Sequence, residues 1–223
     1  MNEGADMLKL YSFWRSSSAY RVRIALNLKG LEYRIEPVHL MHEGGQQFRS
    51  EYRSLNPQAM VPLLVDGELR ISQSLAILDY LEALAPHPPL LPTEPALRAR
   101  VLEACLNIVS DVQPLQNSRV LRHLQDDLAQ DDARQQAWVR HWITLGLDAL
   151  ETRLQAHPQS RFSFGETPGV ADCCLVPQLY SARRFDCELT RWPRLTEIES
   201  ACQALPAFVQ AQPDHQPDAP TPH

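Results

Sequence analysis

A run of three serines stands where a strand gives way to a helix. Ser16, Ser17 and Ser18 separate the strand-like segment 8–11 from a helical pattern that begins near Ala19. Hydroxyl groups and unpaired backbone N–H groups meet at such a junction, and the helix dipole favours an anion there. No Ser/His/Asp arrangement or nucleophile-elbow motif surrounds these serines. The run is therefore either an ordinary N-cap cluster or a set of hydrogen-bond donors to an anion such as a thiolate.

Two further segments have the residue types of a peptide-binding site. Val61-Pro62 stands at the head of a strand that should be central, where a trans proline would waste a pairing position. An edge strand, a bulge or a cis peptide would each account for it, and we expect the cis peptide, which turns the Val61 backbone toward an extended ligand. Gln73-Ser74 opens a helix, with Ser74 either as its N-cap or as a donor to a ligand carboxylate.

The elements that must position these residues follow from the hydrophobic pattern. Strands are predicted at 8–11, 33–36, 61–65 and 69–71, helices at 19–29 and 74–84, and loop with short helix at 42–54. This βαβ unit followed by a ββα unit is the thioredoxin-like plan. Long helices are predicted at about 95–123, 133–156, 170–184 and 195–209, with an exposed turn at 126–136. The expected fold class is an α/β thioredoxin-like N-terminal domain followed by an all-α C-terminal domain.

Proline placement divides the chain. Five prolines lie between Ala85 and Pro95, a segment that cannot continue a helix or a central strand. We therefore expect a domain at 1–85, a stiff linker at 86–95, a helical domain at 96–212 and a proline-rich tail at 213–223 that is mobile or draped over the surface.

Composition excludes several classes of protein. The 223 residues carry 21 basic and 27 acidic side chains, and the net charge of -6 opposes binding to nucleic acid or to an anionic membrane. No apolar run is long enough to span a bilayer, and we expect no secretory signal. Five cysteines in helix-like context, with no zinc spacing, indicate reduced thiols in a cytoplasmic protein and no metal site.

An ordered set of motifs resembles one known family. The segment 12–26, which contains Ser16-Ser17-Ser18 and Tyr20-Arg21-Val22-Arg23-Ile24-Ala25-Leu26, is similar to the SSCxWRVRIAL signature of zeta-class glutathione transferases, which include maleylacetoacetate and maleylpyruvate isomerases. The similarity continues through residues 44–48, 55–57, 61–62, 73–77, 113–117 and 171–178, and so covers nearly the whole chain.

The resemblance implies glutathione in a cleft between two domains, and a homodimer. By position, Ser16 would hold the glutathione sulfur as a thiolate, with Ser17 beside it as the second catalytic serine. The remaining implied glutathione contacts are Ser18, Gln47 at the glycyl end, Val61 and Pro62 at the cysteinyl backbone, Gln73 and Ser74 at the γ-glutamyl carboxylate, and Gln113, Asn117, Ser118 and Arg119 from the helical domain. The implied substrate is a small dianion, for which Arg15, Arg119 and Arg184 are the candidate clamps.

Two positions depart from the family pattern. Ser18 stands where the family usually has cysteine, so we expect no disulfide-forming or dehalogenating side reactions. Gly169 stands where the family usually has Thr or Ser, three residues before Asp172. The implied activity is glutathione-dependent cis-trans isomerisation of maleylacetoacetate or maleylpyruvate in aromatic catabolism. The alternatives are a broad glutathione transferase acting on α-haloacids or other electrophiles, and a non-catalytic glutathione-binding module.

Overall fold

The contacts divide the chain into two units. The computed structural model describes residues 7–157 and 159–220. The first unit consists of the chain up to Pro89 together with the chain from Leu205 onward. The second unit is Leu90–Ala204.

A four-stranded mixed sheet forms the centre of the first unit. Its strands are β1 (Leu8–Ser12), β2 (Tyr33–Pro37), β3 (Leu63–Asp66) and β4 (Leu69–Ser72), in the spatial order β2-β1-β3-β4. Strand β1 is parallel to β2 and antiparallel to β3, and β3 is antiparallel to β4. The βαβ-ββα order and the central position of β3 confirm the thioredoxin-like expectation.

Helices α1 (Ser17–Leu28), α2 (Ser50–Leu55) and α3 (Ser74–Leu84) complete the plan, and two short 3-10 turns at His42–Gly44 and Gln46–Phe48 precede α2. The apolar side chains on the inward faces of the sheet, α1 and α3 are covered from water because both element types direct one face to the same core. Members of this core with at most 1% exposure include Leu10, Ile24, Leu26, Leu64, Ile77 and Leu81.

A buried lysine fixes the end of α1. Lys29 is the C-cap of that helix, and Gly30 follows with a φ of +64°, which glycine adopts without strain. The Lys29 ammonium donates to Glu82 at 2.5 Å, to the Ala85 carbonyl at 2.7 Å and to the Pro88 carbonyl at 2.8 Å. These bonds attach α1 to the chain that follows α3.

Within residues 7–157 and 159–220, two peptide bonds that precede proline are cis. The bond between Val61 and Pro62 is cis, which confirms the expectation drawn from the sequence. The bond between His87 and Pro88 is also cis, which nothing in the sequence pattern predicts.

The helical unit contains more breaks than the sequence pattern predicted. Its α-helices are α4 (Pro95–Leu106), α5 (Ser118–Asp126), α6 (Asp132–Ala156), α7 (Val170–Arg184) and α8 (Pro193–Gln203). The prediction of one helix over 95–123 was wrong, because a π-helical turn at Asn107–Val112 and a 3-10 turn at Gln113–Gln116 separate α4 from α5. Pro114 supplies no N–H to an α-helix, and Asn117 starts a new one by accepting the Arg119 N–H at 3.0 Å.

The prediction of one helix over 195–209 was also wrong. Leu205 is extended because Pro206 follows it, so α8 ends at Gln203 and a new helix, α9 (Pro206–Ala211), begins. Residues 205–212 were expected in the helical domain, but the contacts group them with the first unit. The expected tail continues there as a 3-10 turn at Pro213–His215, and residues 221–223 lie outside the described part of the chain.

The start of α7 accounts for the glycine that departs from the family pattern. Asp172 accepts the Gly169 N–H at 2.8 Å and both the N–H and the hydroxyl of Ser163, at 2.9 and 2.6 Å. A Cβ atom at Gly169 would lie 2.8 Å from the Leu90 carbonyl oxygen, to which Val170 donates. The close approach of residues 90 and 169 therefore requires glycine here, and Ser163 provides the hydroxyl.

All five cysteines are thiols, and four of them are buried; Cys187, just after α7, is half-buried. None of the helices in the described ranges has the length and apolarity needed to cross a membrane. Within the same residues no group of three or more His, Cys, Asp or Glu side chains could hold a metal ion.

Candidate functional site

The Ser16 hydroxyl lies at the N-terminus of α1. Ser16 is the N-cap, with extended φ and ψ of -70° and 117°, and its Oγ accepts the Ala19 N–H at 3.3 Å. Its own N–H donates to the Phe13 carbonyl at 2.9 Å, which closes a turn between β1 and the helix. The N-cap reading of the sequence is thus correct for Ser16. Because Oγ acts as an acceptor toward Ala19, its O–H hydrogen remains available to a ligand.

The first turn of α1 favours an anion. Ser17 and Ser18 occupy its first two positions and are half-buried, and none of the described residues in that turn is acidic. The positive end of the helix dipole is therefore not neutralised by the protein's own carboxylates. A thiolate placed at Ser16 would gain from both the hydroxyl and the dipole.

The segment before the cis proline is held by two side chains. The Met60 carbonyl accepts the Tyr52 hydroxyl at 2.6 Å and the Asn56 amide at 2.8 Å. Burial raises the pKa of the Tyr52 phenol, so this hydroxyl stays protonated and remains a donor. Val61 and Pro62 then lead directly into β3, so their backbone has a fixed place at the end of the central strand.

Gln73 and Ser74 open α3 in a way that differs from the expectation. Gln73, not Ser74, is the N-cap, and it has a φ of +73°, which is uncommon for a residue other than glycine. Its side-chain amide donates to the Gln58 side chain at 3.1 Å. Strained backbone of this kind concentrates at binding sites, where surrounding contacts hold it.

A buried arginine supports Ser74. Arg21 on α1 is 0% exposed, Ser74 is 4% exposed, and the Arg21 Nη1 donates to the Ser74 Oγ at 2.6 Å. The bond joins the second turn of α1 to the start of α3 and leaves the Ser74 O–H hydrogen to donate outward. Since the described first turn of α3 contains no acidic residue, a ligand carboxylate there would meet a hydroxyl, a helix N-terminus and a buried positive charge.

Gln47 is buried with one polar atom unsatisfied. Its Nε2 donates weakly to the Leu40 carbonyl at 3.4 Å, and its Oε1 has no hydrogen-bond partner among the described residues. Gly45 makes room for this amide, because a Cβ at that position would lie 2.6 Å from the Gln47 Nε2. Gly45 also has a φ of +105°, which glycine alone adopts readily. A buried acceptor without a donor is what a bound peptide N–H would satisfy.

The loop that carries Gln47 is folded around His39. The His39 Nδ1 accepts the N–H groups of Met41 and His42 at 3.2 and 3.0 Å, and the Gln46 side chain accepts the His39 N–H at 2.8 Å. Burial and then His42 lower the pKa of His39 most; Asp218 raises this pKa by less, and Arg15 lowers it by less still. The neutral ring that results is the form whose Nδ1 can accept.

These features fit glutathione, an extended tripeptide with a thiol and two carboxylates. The orphaned Gln47 Oε1 and the donors at the starts of α1 and α3 are complementary to such a ligand. Sequence reasoning had named Ser16, Gln47 and Ser74, but it missed Arg21 and His39. The role of Arg21 could have been predicted from the sequence, because an arginine inside the otherwise apolar, buried stretch of α1 needs a hydrogen-bond acceptor.

The remaining predicted glutathione residues lie together in the helical unit. Gln113 begins the 3-10 turn, Asn117 is the N-cap of α5, and Ser118 and Arg119 are exposed in its first turn. A buried bond of 2.8 Å from Gln116 to Gln178 attaches this turn to α7.

The arginines proposed as substrate clamps occupy different settings. Arg15 is half-buried, with its guanidinium 5.5 Å from the centre of the Trp14 ring. Arg184 ends α7, is exposed, and lies 4.6 Å from the centre of the Phe185 ring. Arg183, by contrast, is engaged in a bidentate ion pair with the buried Glu199. The assignment of Arg184 as a clamp stays a prediction.

Comparison with known proteins identifies the family. The glutathione S-transferase N-terminal domain family matches residues 6–83, and the C-terminal domain family matches residues 131–198. A probable maleylacetoacetate isomerase of Vibrio cholerae is 46% identical over 212 residues, covering 95% of this chain and 98% of that protein. A maleylpyruvate isomerase of a Ralstonia species is 43% identical, covering 95% and 100%.

Solved structures agree. The holo structure of a maleylpyruvate isomerase, a bacterial zeta-class glutathione transferase, superposes with a TM-score of 0.92 at 43% identity, covering 95% of this chain and all of that one. A maleylacetoacetate isomerase from Anaeromyxobacter dehalogenans, solved with glutathione in its active site, has a TM-score of 0.86 at 44% identity, covering 96% and 98%. The chain belongs to the zeta class of the glutathione transferase family, together with the maleylacetoacetate and maleylpyruvate isomerases.

Proposed function

We propose that the protein is a glutathione-dependent cis-trans isomerase that converts maleylacetoacetate to fumarylacetoacetate, or maleylpyruvate to fumarylpyruvate. The observation that carries the proposal is the Ser16 hydroxyl, which caps the acid-free N-terminus of α1 with its hydrogen available to a ligand. The family membership supports the same activity.

Ser16 and the start of α1 would hold the sulfur of glutathione. Ser74, with Arg21 behind it, would bind the γ-glutamyl carboxylate, the Val61 backbone would pair with the cysteinyl residue, and Gln47 would reach the glycyl end. Bound glutathione supplies a thiolate that adds reversibly to the cis double bond, so that the carbon–carbon bond can rotate before the thiolate leaves. Glutathione is regenerated in each turnover and is therefore a cofactor.

The protein's contribution is to keep the thiol ionised. A free thiol has a pKa of about 8.5, so only a few per cent is thiolate at pH 7. A shift of about two pKa units, or about 2.7 kcal/mol, makes the thiolate the major form. A hydroxyl donor to a charged group and a helix N-terminus together supply free energy of this order.

Both candidate substrates are dianions, and guanidinium groups match carboxylates in geometry. We assign this binding to Arg15, Arg119 and Arg184. Ser17 and Ser18 flank the sulfur position, and Gln113, Asn117 and Ser118 are proposed as further glutathione contacts. The proposed division of labour is a glutathione-binding domain at 1–85 and a substrate domain in the helical unit, separated by the linker at 86–95.

We further propose a cytoplasmic homodimer. Reduced cysteines are typical of the cytoplasm, and all five cysteines here are thiols. Leu69 on the edge strand β4 and Leu84 at the end of α3 are each 45% exposed, which leaves apolar surface for a second copy. Light scattering should give twice the 25.3 kDa mass of the chain.

An absorbance assay with each substrate, with and without glutathione, tests the function. We expect disappearance of the cis isomer only when glutathione is present, with glutathione recovered unchanged. Stoichiometric consumption of glutathione with an α-haloacid, and no isomerisation, would instead favour the broad transferase. Glutathione binding without turnover of either kind would indicate a binding module.

A further inference from the structure

The backbone N–H and the carbonyl of Trp14, two residues before Ser16, each form a hydrogen bond with a side chain. The Trp14 N–H donates to the Asp218 Oδ2 at 2.9 Å, and the Trp14 carbonyl accepts the Arg23 Nη2 at 3.0 Å. Arg23, which is 0% exposed, also donates to the Ser12 Oγ at 3.1 Å and to the Ala211 carbonyl at 3.0 Å. The turn between β1 and α1 is thus fixed by α1 itself and by the chain after α9.

Asp218 is well placed to act as a fixed acceptor. The turn that contains it is closed by a 3.0 Å bond from the Ala219 N–H to the Gln216 carbonyl. The Gln216 side chain is 8% exposed and donates to the carbonyls of Gln210 and Gln212 at 3.0 and 2.8 Å. Residues 210–219 therefore form an ordered segment, the C-terminal clamp, that presents one carboxylate to Trp14.

We propose that Asp218 is a positioning residue of the thiolate site, which fixes the Phe13–Ser16 turn and thereby the direction of the Ser16 hydroxyl. The proposal rests on the proposed function. Ser16 joins this turn through its bond to the Phe13 carbonyl, so loosening Trp14 loosens the donor that must face the sulfur. A hydrogen bond to a thiolate weakens steeply with misalignment, so a small displacement changes how much thiolate is present.

The same carboxylate acts on the loop that carries Gln47. Asp218 interacts electrostatically with His39, and the Phe13 ring packs edge-on against the His39 ring with centroids 4.9 Å apart. The second oxygen of Asp218, Oδ1, is buried and has no hydrogen-bond partner among the described residues. The bond to Trp14 needs only one acceptor oxygen, so an amide in place of the carboxylate would preserve it.

The test compares Asp218→Ala with Asp218→Asn and a matched control, Asp214→Ala. Asp214 is an exposed acid in the same segment, so its loss removes an equal charge but leaves the Trp14 bond intact. The readouts are the pKa of the bound glutathione thiol, from thiolate absorbance against pH, and kcat and KM for the isomerisation. We expect Asp218→Ala to raise the thiol pKa and to lower kcat roughly threefold to tenfold, with KM for the substrate unchanged. Asp218→Asn and Asp214→Ala should match the wild type.

Hydrogen exchange at the Trp14 amide gives a readout independent of activity, so a failure of the isomerase assay leaves the clamp testable. We expect faster exchange in Asp218→Ala and in a chain that stops before Asp218, and unchanged exchange in a chain that stops before Thr221. The proposal is overturned if Asp218→Ala behaves like Asp214→Ala in thiol pKa and exchange. It is equally overturned if Asp218→Asn loses as much as Asp218→Ala, because charge, not the bond to Trp14, would then be responsible.

Discussion

At the scale of single residues, the role of Ser16 as a hydrogen-bond donor to the glutathione sulfur can be separated from its role as the N-cap of α1. Ser16→Ala should raise the pKa of bound glutathione toward about 8.5 and lower kcat/KM at pH 7 roughly tenfold or more. The cap itself contributes about 1 kcal/mol to stability, whereas glycine in its place costs only a few tenths. Ser16→Gly should therefore keep most of the stability and still lose the activity, as followed by thermal unfolding and by thiolate absorbance. Ser18→Ala is expected to be mild, and equal losses at positions 16 and 18 would refute this assignment.

Two adjacent arginines provide a matched pair. Arg184→Ala should raise KM for the dianionic substrate about tenfold or more, the effect of losing a charge-assisted bond of roughly 1.5–3 kcal/mol, and leave the glutathione Kd unchanged. Arg183→Ala should do the reverse: it leaves the buried Glu199 without its partner, so stability falls and KM stays the same. Steady-state kinetics measures the change in KM for each variant, and calorimetry measures glutathione affinity and stability. A loss of glutathione affinity in Arg184→Ala would assign Arg184 to the cofactor site instead.

The role of a single residue could be predicted from the sequence where its type is one favoured at that position of a helix. Ser16 precedes an apolar helical pattern, and that pattern gives both the cap and the anion site. Arg21 was harder to place, since its acceptor, Ser74, is 53 residues away and only the packing of α1 on α3 brings them together. For Ser74 two possibilities were open, the N-cap of α3 or a ligand donor; the N-cap is Gln73, and nothing in the sequence indicates its positive φ.

At the scale of elements, the start of α7 shows why a residue that caps helices better than glycine would lower the stability of the protein at position 169. Gly169→Ala places a Cβ 2.8 Å from the Leu90 carbonyl oxygen, and we expect it to lower the free energy of unfolding by about 1–3 kcal/mol. Gly169→Ser should do the same despite its hydroxyl. Gly165→Ala is the control, because a Cβ there meets nothing within 4 Å. Denaturant titration should show a loss at position 169 only; equal effects at both glycines would contradict the steric explanation.

The loop around His39 should make glutathione binding sensitive to acid. The pKa of His39 lies below its ordinary value of about 6.5, so the folded loop binds the proton less well than the unfolded chain. Its contribution to stability is therefore present above about pH 6.5 and is lost as the pH falls toward the lowered pKa. Protonation at Nδ1 removes the acceptor for Met41 and His42, and Gln47 is displaced with the loop.

His39→Asn tests this, because the Asn side-chain oxygen can accept the same N–H groups and does not titrate. Calorimetry across pH 5 to 8 should show glutathione affinity falling with acid in the wild type and a flatter profile in His39→Asn. The charged groups that act on His39 are His42, Asp218 and Arg15, and a pH profile that is the same in His39→Asn as in the wild type would contradict this explanation.

The 3.6-residue pattern predicted the positions of the helices closely, but it did not predict the breaks between them. The helix predicted at 170–184 has the same bounds in the structure, and the one predicted at 133–156 starts one residue earlier. The breaks near Pro114 and Pro206 were missed because apolar periodicity continues across them. Pro206 moves Leu205 out of helical geometry, whereas α4 already ends at Leu106 and Pro114 lies in the 3-10 turn that follows the π-helical turn.

At the scale of the whole molecule, Arg23 connects residues that are far apart in the chain. Arg23→Met should lower the free energy of unfolding by about 3 kcal/mol or more, since the carbonyls of Trp14 and Ala211 both lose their donor. Proteolysis should then cut the C-terminal clamp faster. Asn27→Ala, which loses the bond to the Ala207 carbonyl but leaves the Trp14 turn in place, should loosen α9 with little effect on glutathione binding. If both variants affect glutathione binding alike, Arg23 has no special connection to the site.

The return of the chain to the first unit could not be predicted from the sequence. Residues 205–212 were expected in the helical domain, and the tail at 213–223 was expected to be mobile or draped over the surface. The bonds that order these segments span 188 residues from Arg23 to Ala211 and 204 from Trp14 to Asp218. Local patterns contain no information on such separations. Only the fold brings the two ends together.

The separation between Trp14 and Asp218 also sets an order of events during synthesis. Residues of the sheet leave the ribosome first, and the whole of Leu90–Ala204 must be translated before the C-terminal clamp emerges. Until then Arg23 lacks its Ala211 acceptor and the Trp14 amide lacks Asp218. The nascent first unit can therefore form its strands early, but it completes its serine turn only when Ala211 and Asp218 have emerged.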